Sequence, residues 1–279
     1  MSTRIVTDST CDLPQAVVQE HGITVIPLYV NFGDQSYLDG VELSRRQFYE
    51  MLPDYESPPT TAVPGTDVFT EVYERLAAEG ATDVLSLHVS STVSATYDVA
   101  RVVAQDIDAV PVTAFDGRQI TVGTGLQVLQ AAEAAAAGRS VAEIVAMLEE
   151  MVPRIHSFAA LDTVVFLRRS GRVTALQYGL STLLSIKPLI MMHNGEMAGE
   201  RIRTGKGCVA RMIEFVRDLG PLEQLALVHT NAPDAVEDLR SQVADLVPEG
   251  KESYIVEVTP VIGSHVGPGA VGLVAVQAR

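Results

Sequence analysis

The chain has no tryptophan, only two cysteines and no long apolar run. Cys11 and Cys208 are far apart in sequence, which predicts neither a disulfide framework nor a zinc-binding spacing. A membrane-spanning helix needs about 18 apolar residues. The longest uncharged run, 173–186, is shorter and is expected to form a buried helix. Because the N-terminus also lacks an apolar signal core, we expect a reduced, cytoplasmic protein without stable membrane insertion.

Basic residues are scarce as well, with 20 Lys and Arg against 35 Asp and Glu and a net charge of −15. Such a charge repels phosphate backbones, which excludes nucleic acid as a partner. The six histidines show no spacing typical of metal ligands, so no metal site is expected. A length of 279 residues with 47% apolar residues fits two folded domains.

Apolar runs alternate with helical patterns in the first half of the chain, which is typical of a parallel sheet flanked by helices. The predicted strands are 4–7, 24–30, 83–89 and 111–115. Ser44 with Gln47, and Ser140 with Glu143, have the spacing of capping boxes that begin helices. A further helix is predicted at 125–137.

The pattern changes after Pro153, where an Asn194-Gly195 turn joins two predicted strands into an antiparallel hairpin that has no counterpart in the first half. The other predicted elements are helices at 208–219 and 232–247 and strands at 224–229, 252–258 and 271–276. The fold class is therefore α/β with two domains. Residues 1–155 form a parallel sheet flanked by helices, and residues 156–279 form a mixed sheet with helices.

Hydroxyl side chains crowd the turn after the strand at 83–89, from Ser90 to Thr96. A strand that ends in small hydroxyl residues before a helix places N–H and O–H groups in one crevice, where an anion or carboxylate can bind. Helix capping alone would explain one of these serines. Their number favours an oxygen-rich ligand.

Two other segments are candidates for a binding site. The loop 58–66 lies between two helices and contains three prolines, which would hold a hydroxyl at a fixed point; a plain linker is the alternative. The glycine-rich loop 262–270 contains His265, which could donate to a carboxylate or exchange a proton; a purely structural histidine is the alternative. No Walker loop, nucleophile elbow or paired-carboxylate motif occurs.

Five motifs together resemble the DegV family of fatty-acid-binding proteins, in the family's order and over the whole chain. They are the segments 5–14, 61–64, 90–97, 166–172 and 265–269. The resemblance implies two α/β domains with a long-chain fatty acid buried between them. It also implies that Thr61 and Ser94 hold the carboxylate and that His265 lies beside it.

The resemblance further implies a partner. In the bacterial members called FakB, the bound acid is presented to a separate ATP-dependent kinase of the dihydroxyacetone-kinase-like type, which makes an acyl phosphate for phospholipid synthesis. Arg169, Arg172, Arg201 and Arg203 are then candidates for a surface that faces the phosphate or the partner, since arginine pairs with phosphate oxygens. Solvated helix and strand ends are the alternative for these arginines.

This sequence also departs from the family pattern at Ala62, Ala95 and Ser170, where the family has serine, glycine and glycine. The change at Ala62 removes one hydroxyl near the head group. We expect a non-catalytic acyl carrier with no cofactor other than its fatty acid. Two rival functions stay open: an enzyme that acts on a small carboxylate or phosphate ester in the same crevice, and a lipid sensor without a kinase partner.

Overall fold

The computed structural model describes residues 2–54, 57–171, 187–251 and 253–279, so the helix predicted at 173–186 and Arg172 lie outside the described residues. The strands are β1 Thr3–Asp8, β2 Thr24–Ile26, β3 Tyr29–Phe32, β4 Gln35–Leu38, β5 Thr60–Ala62, β6 Asp83–His88, β7 Val112–Asp116, β8 Ile155–Ala160, β9 Lys187–His193, β10 Glu196–Ile202, β11 Leu222–His229, β12 Tyr254–Glu257 and β13 Val271–Gln277. The α-helices are α1 Gln15–Glu20, α2 Arg45–Met51, α3 Thr66–Ala78, α4 Thr96–Asp106, α5 Thr121–Ala136, α6 Val141–Met151, α7 Val165–Arg169, α8 Gly205–Asp218, α9 Pro233–Gln242 and α10 Pro260–Val266.

The first half contains a four-stranded sheet in the order β2-β1-β6-β7, and every pair in it is parallel. Helices cover both faces, which is why five of the six residues of β6 are buried rather than every second one. This confirms the predicted parallel sheet. The capping boxes of Ser44 with Gln47 and of Ser140 with Glu143 are both present, at the starts of α2 and α6. The helix predicted at 125–137 begins four residues earlier, at Thr121.

The strand predicted at 24–30 is wrong as a single element. β2 ends at Ile26 and β3 begins at Tyr29, with Pro27 between them. Proline has no N–H to donate to a sheet ladder, so the chain leaves the parallel sheet at this point. β3 joins a separate antiparallel sheet in the order β4-β3-β5. The expectation that antiparallel pairing is absent from the first half is therefore also wrong.

The second half forms a six-stranded mixed sheet in the order β10-β9-β8-β13-β11-β12. The predicted hairpin is confirmed as β9 and β10, and its turn residues Asn194 and Gly195 have φ of 47° and 81°, which the two-residue hairpin turn requires. Only β11 and β12 pair in parallel. Helices α8 and α9 cover one face of this sheet. The domain boundary at 155 stays a prediction, and it coincides with the start of β8.

No helix among the described residues is long and apolar enough to cross a membrane.

Candidate functional site

A cavity of about 1000 Å³, with its open mouth included, lies between the two halves of the chain. Among the residues that the structure describes, four polar side chains line it: Thr10, Thr61, Ser94 and His265. The other lining residues are apolar: Leu28, Ala62, Val63, Val89, Val93, Ala95, Ile120, Ala159, Leu161, Leu167, Ile190, Met197, Val261, Ile262 and Val266. The cavity can therefore take an apolar chain that carries one polar end.

Thr61 and His265 contact each other in the wall of the cavity, with 3.0 Å between Thr61 Oγ1 and His265 Nε2. We call the region around this contact the polar end of the cavity. Thr61 lies in β5, the edge strand of the three-stranded sheet, where it pairs with Val30. The segment predicted as a proline-stiffened loop thus contains a short strand. His265 likewise lies in α10 rather than in a loop, and the helix ends at Gly267.

Ser94 lies in the hydroxyl-rich turn between β6 and α4. Its Oγ accepts from the backbone N–H of Thr96 at 3.4 Å and is 2.8 Å from Thr96 Oγ1. Ser90 bonds with Thr92 within the turn, and Ser91 donates to Asp116 through both its N–H and its hydroxyl. Neither Ser90 nor Ser91 lines the cavity. Within the turn, Ser94 is the hydroxyl-bearing residue that lines the cavity.

A second, smaller cavity of about 490 Å³ continues from the first. Six residues line both and form what we call the waist: Ile120, Ala159, Leu161, Ile190, Ile262 and Val266. In β8, Ala159 pairs with Ile190 of β9 and with Gly272 of β13, so these three lie in one row across the sheet. Ala159 and Gly272, with one methyl group and no side chain, line the second cavity beside Ile190.

Of the four predicted arginines, Arg169 lies beside the polar end. It lines a polar groove of about 900 Å³ that also includes Thr60, Ser264 and His265. Arg201 is exposed in β10, four residues after the cavity-lining Met197 and hence on the same face of the sheet. Arg203 is exposed just beyond the end of β10.

The structure also contains a buried polar network that the sequence did not indicate. His88 Nδ1 is 2.9 Å from Asp8 Oδ2, His88 Nε2 is 2.8 Å from Ser86 Oγ, and Tyr73 donates to Ser86 at 2.8 Å. Burial alone would raise the pKa of Asp8, but the hydrogen bonds from His88 and from Thr10 lower it below its usual value. Ser86, His88 and Asp8 are hydrogen-bonded to one another in the same way as the serine, histidine and aspartate of a catalytic triad. All three are completely buried, so no substrate can reach this serine.

The chain resembles known proteins over its whole length. The family model described as "Uncharacterised protein, DegV family" matches residues 2–278. A DegV domain-containing protein of Deinococcus radiodurans is 39% identical over 278 residues, which cover 98% of each chain. Two solved structures align over 100% of both chains. One shows the fatty acid binding of a DegV family protein from Thermus thermophilus, with 32% identity and a TM-score of 0.90. The other is DegV of Bacillus subtilis, described as a fatty acid binding protein, with 30% identity and a TM-score of 0.91.

Proposed function

Because the chain belongs to the DegV family, we propose that it binds a long-chain fatty acid between its two halves and presents the carboxylate to a separate ATP-dependent kinase. The observation that carries the proposal is the polarity of the cavity. Thr61 and His265 are in contact in the first cavity, Ser94 also lines it, and a mostly apolar lining continues past the waist into the second cavity.

The apolar tail supplies most of the affinity. About fifteen methylenes buried at ~0.8 kcal/mol each contribute on the order of 12 kcal/mol before ordering costs. Three hydrogen bonds to the head group add only about 1 kcal/mol net each. The hydroxyls therefore decide which end of the fatty acid stays near the groove rather than how tightly it binds.

The contact between Thr61 and His265 suits a carboxylate ligand. When His265 Nε2 carries its proton, it donates to Thr61 Oγ1, and the Thr61 hydroxyl is left to donate to a carboxylate oxygen. Ser94 is the second hydroxyl donor in the proposal. Ala62 has no hydroxyl to offer, so Thr61 is the hydroxyl donor that β5 supplies to the cavity.

The kinase step is supported by the groove next to the carboxylate end. The groove shares His265 with the cavity and places Arg169 at its edge. The exposed Arg201 and Arg203, and Arg172, which is outside the described residues, are the further candidates that we propose for the phosphate or the partner. On a chain with a net charge of −15, these arginines are suited to an anionic group.

We also propose a cytoplasmic location, where a kinase has access to ATP. Cys11 and Cys208 are both buried and unpaired, which suits a reducing compartment.

Lipid analysis tests the binding step. The purified protein is denatured and extracted, and the extract is examined by mass spectrometry for a stoichiometric fatty acid. Binding of palmitate and oleate to the delipidated protein is measured in parallel. No extracted fatty acid, together with no binding of either probe, would contradict the proposal.

Acyl-phosphate formation with a cognate dihydroxyacetone-kinase-like protein tests the second step. Thr61→Val and Ser94→Ala are expected to impair phosphorylation more than binding, because the tail keeps its contacts. Ser91→Ala is the matched control, since Ser91 bonds to Asp116 and does not line the cavity. Equal losses of both activities would make the hydroxyls affinity contacts. Turnover without any kinase would favour an enzyme, and binding without phosphorylation would favour a sensor.

A further inference from the structure

The turn that follows β1 belongs to the motif at 5–14, and the proposed function gives it no role. Asp12 ends this turn in the left-handed region, with φ of 55°, and its side chain is completely buried. Its Oδ1 accepts from the backbone N–H of Thr259 at 2.7 Å, and its Oδ2 accepts from Thr121 Oγ1 at 2.5 Å. An Arg45 guanidinium nitrogen lies 3.7 Å from Oδ1. Asp12 does not line either cavity.

The bond to Thr259 joins residues that are 247 positions apart. Thr259 is the N-cap of α10, and its own side chain does not cap the helix. The seven-residue α10 then carries His265 to Thr61. A helix this short has few hydrogen bonds of its own, so its orientation depends on what holds its ends. Asp12 holds the first end.

The same turn also holds the sheet that carries Thr61. Ser9 donates to Asp39 Oδ2 at 2.7 Å and accepts from the N–H of Leu28 at 3.2 Å. Asp39 directly follows β4, Leu28 directly precedes β3, and β3 pairs Val30 with Thr61 of β5. One turn of four residues therefore anchors both partners of the contact at the polar end of the cavity.

A buried carboxylate is costly unless it is well paired. Burial raises the pKa of Asp12 to about 6, against the opposing effects of Arg45 and of the hydrogen bond from Thr121. An aspartate in such a place has little freedom to move, because any displacement breaks bonds that no solvent can replace. This rigidity suits a group whose task is to fix the position of another.

We infer that Asp12 is a positioning residue: by holding the start of α10 it sets the position of His265 relative to Thr61, and so the geometry that receives the carboxylate. The inference rests on the proposed function. Asp12 lines neither cavity and acts on the site through α10.

The test is NMR of bound oleate labelled with ¹³C at its carboxyl carbon, together with oleate affinity by calorimetry. Asp12→Ala is expected to move the carboxyl resonance toward its position in His265→Ala and to weaken binding by about tenfold, as expected when one hydrogen bond to a charged group is lost. Asp12→Asn is expected to keep the resonance, because its amide oxygen can still accept from Thr259 and its amide N–H can donate to Thr121.

Ser140→Ala is the matched control. It removes the hydroxyl that caps α6, whose bonds are to Glu143 and do not involve the turn after β1 or α10. It is expected to lower stability without moving the carboxyl resonance. Thr259→Pro serves if Asp12→Ala does not fold, since the φ of −64° and ψ of 157° at Thr259 suit proline and the N–H that donates to Asp12 is removed. Thr259→Val, which removes the hydroxyl but keeps the N–H, separates the two effects.

The outcomes separate the two proposals. If the wild-type protein binds no oleate, the proposed function fails. If it binds oleate and both Asp12→Ala and Thr259→Pro leave the resonance in place, the positioning role fails while the binding function stands. An equal shift in Asp12→Asn or Ser140→Ala would also overturn the positioning role, because it would reflect altered charge or general loosening.

Discussion

Replacement of Ala159 with phenylalanine should make the binding affinity for long acyl chains independent of their length. Ala159 is partly accessible although β8 lies between β9 and β13, because its side chain faces the waist. A phenyl ring there would project into the waist beside Ile190, the cross-strand neighbour of Ala159. The tail could then occupy the first cavity but could not continue into the second.

The magnitude follows from the area that the tail buries. Each methylene that enters an apolar environment contributes ~0.8 kcal/mol, or about a fourfold gain in affinity. If about five methylenes occupy the second cavity of the wild-type protein, their exclusion costs about 4 kcal/mol, which is close to a thousandfold for the longest chains. Short chains that end before the waist should keep their affinity.

Calorimetric titration with octanoate, decanoate, dodecanoate, palmitate and stearate measures this dependence. In the wild-type protein the affinity should rise along the series, and in Ala159→Phe it should level off at the chain that reaches the waist. Ala198→Leu is the control, because Ala198 is exposed on β10 and lines neither cavity. Thermal unfolding of both variants checks that the fold is intact.

Two results would refute the reasoning. A uniform loss at every chain length would mean that the waist is not on the path of the tail. An unchanged series would mean that the second cavity takes no part in binding. Either result leaves the polar end of the site untouched, since Ala159 is not part of it.

Three further predictions concern stability. Gly272→Ala should destabilise the protein by on the order of 1–3 kcal/mol in denaturant unfolding, because its Cβ would lie 2.5 Å from a backbone oxygen, whereas Gly205→Ala, with open space around it, should not. Burial and the neighbouring His193 lower the pKa of His156 to about 4, so its contribution is present above pH 6.5 and is lost as the pH falls toward 4. For this half-exposed ring the loss should be about 1–2 kcal/mol after allowance for solvent screening, and His156→Phe should remove it from the pH profile of unfolding. Asp12 affects the pH dependence of stability in the opposite direction. Because its pKa is raised to about 6, the fold becomes less stable as the pH rises from 4 to 6. Asp12→Asn should remove this loss of stability, and an unchanged pH dependence between 4 and 6 would contradict the assignment.

The fold class was readable from local patterns. Continuous apolar runs indicated a parallel sheet, two capping boxes marked helix starts, and an Asn-Gly pair marked the hairpin of the second half, because each of these signals acts within a few residues. The three-stranded sheet was missed for the same reason. β4 is polar and largely exposed, β5 has three residues, and Pro27 splits a run that looks continuous.

The residue types at the polar end of the cavity could likewise be named from motifs, but their arrangement could not. Thr61 and His265 are 204 positions apart, and Asp12 and Thr259 are 247 apart. No local propensity encodes such contacts, because they arise only when strand pairing and helix packing bring distant segments together. The sequence by itself determined which hydroxyls, histidine and carboxylates are available to the site. Only the tertiary structure decided that Thr61 lies in β5 and His265 in α10, and that one turn after β1 holds both sides of the site.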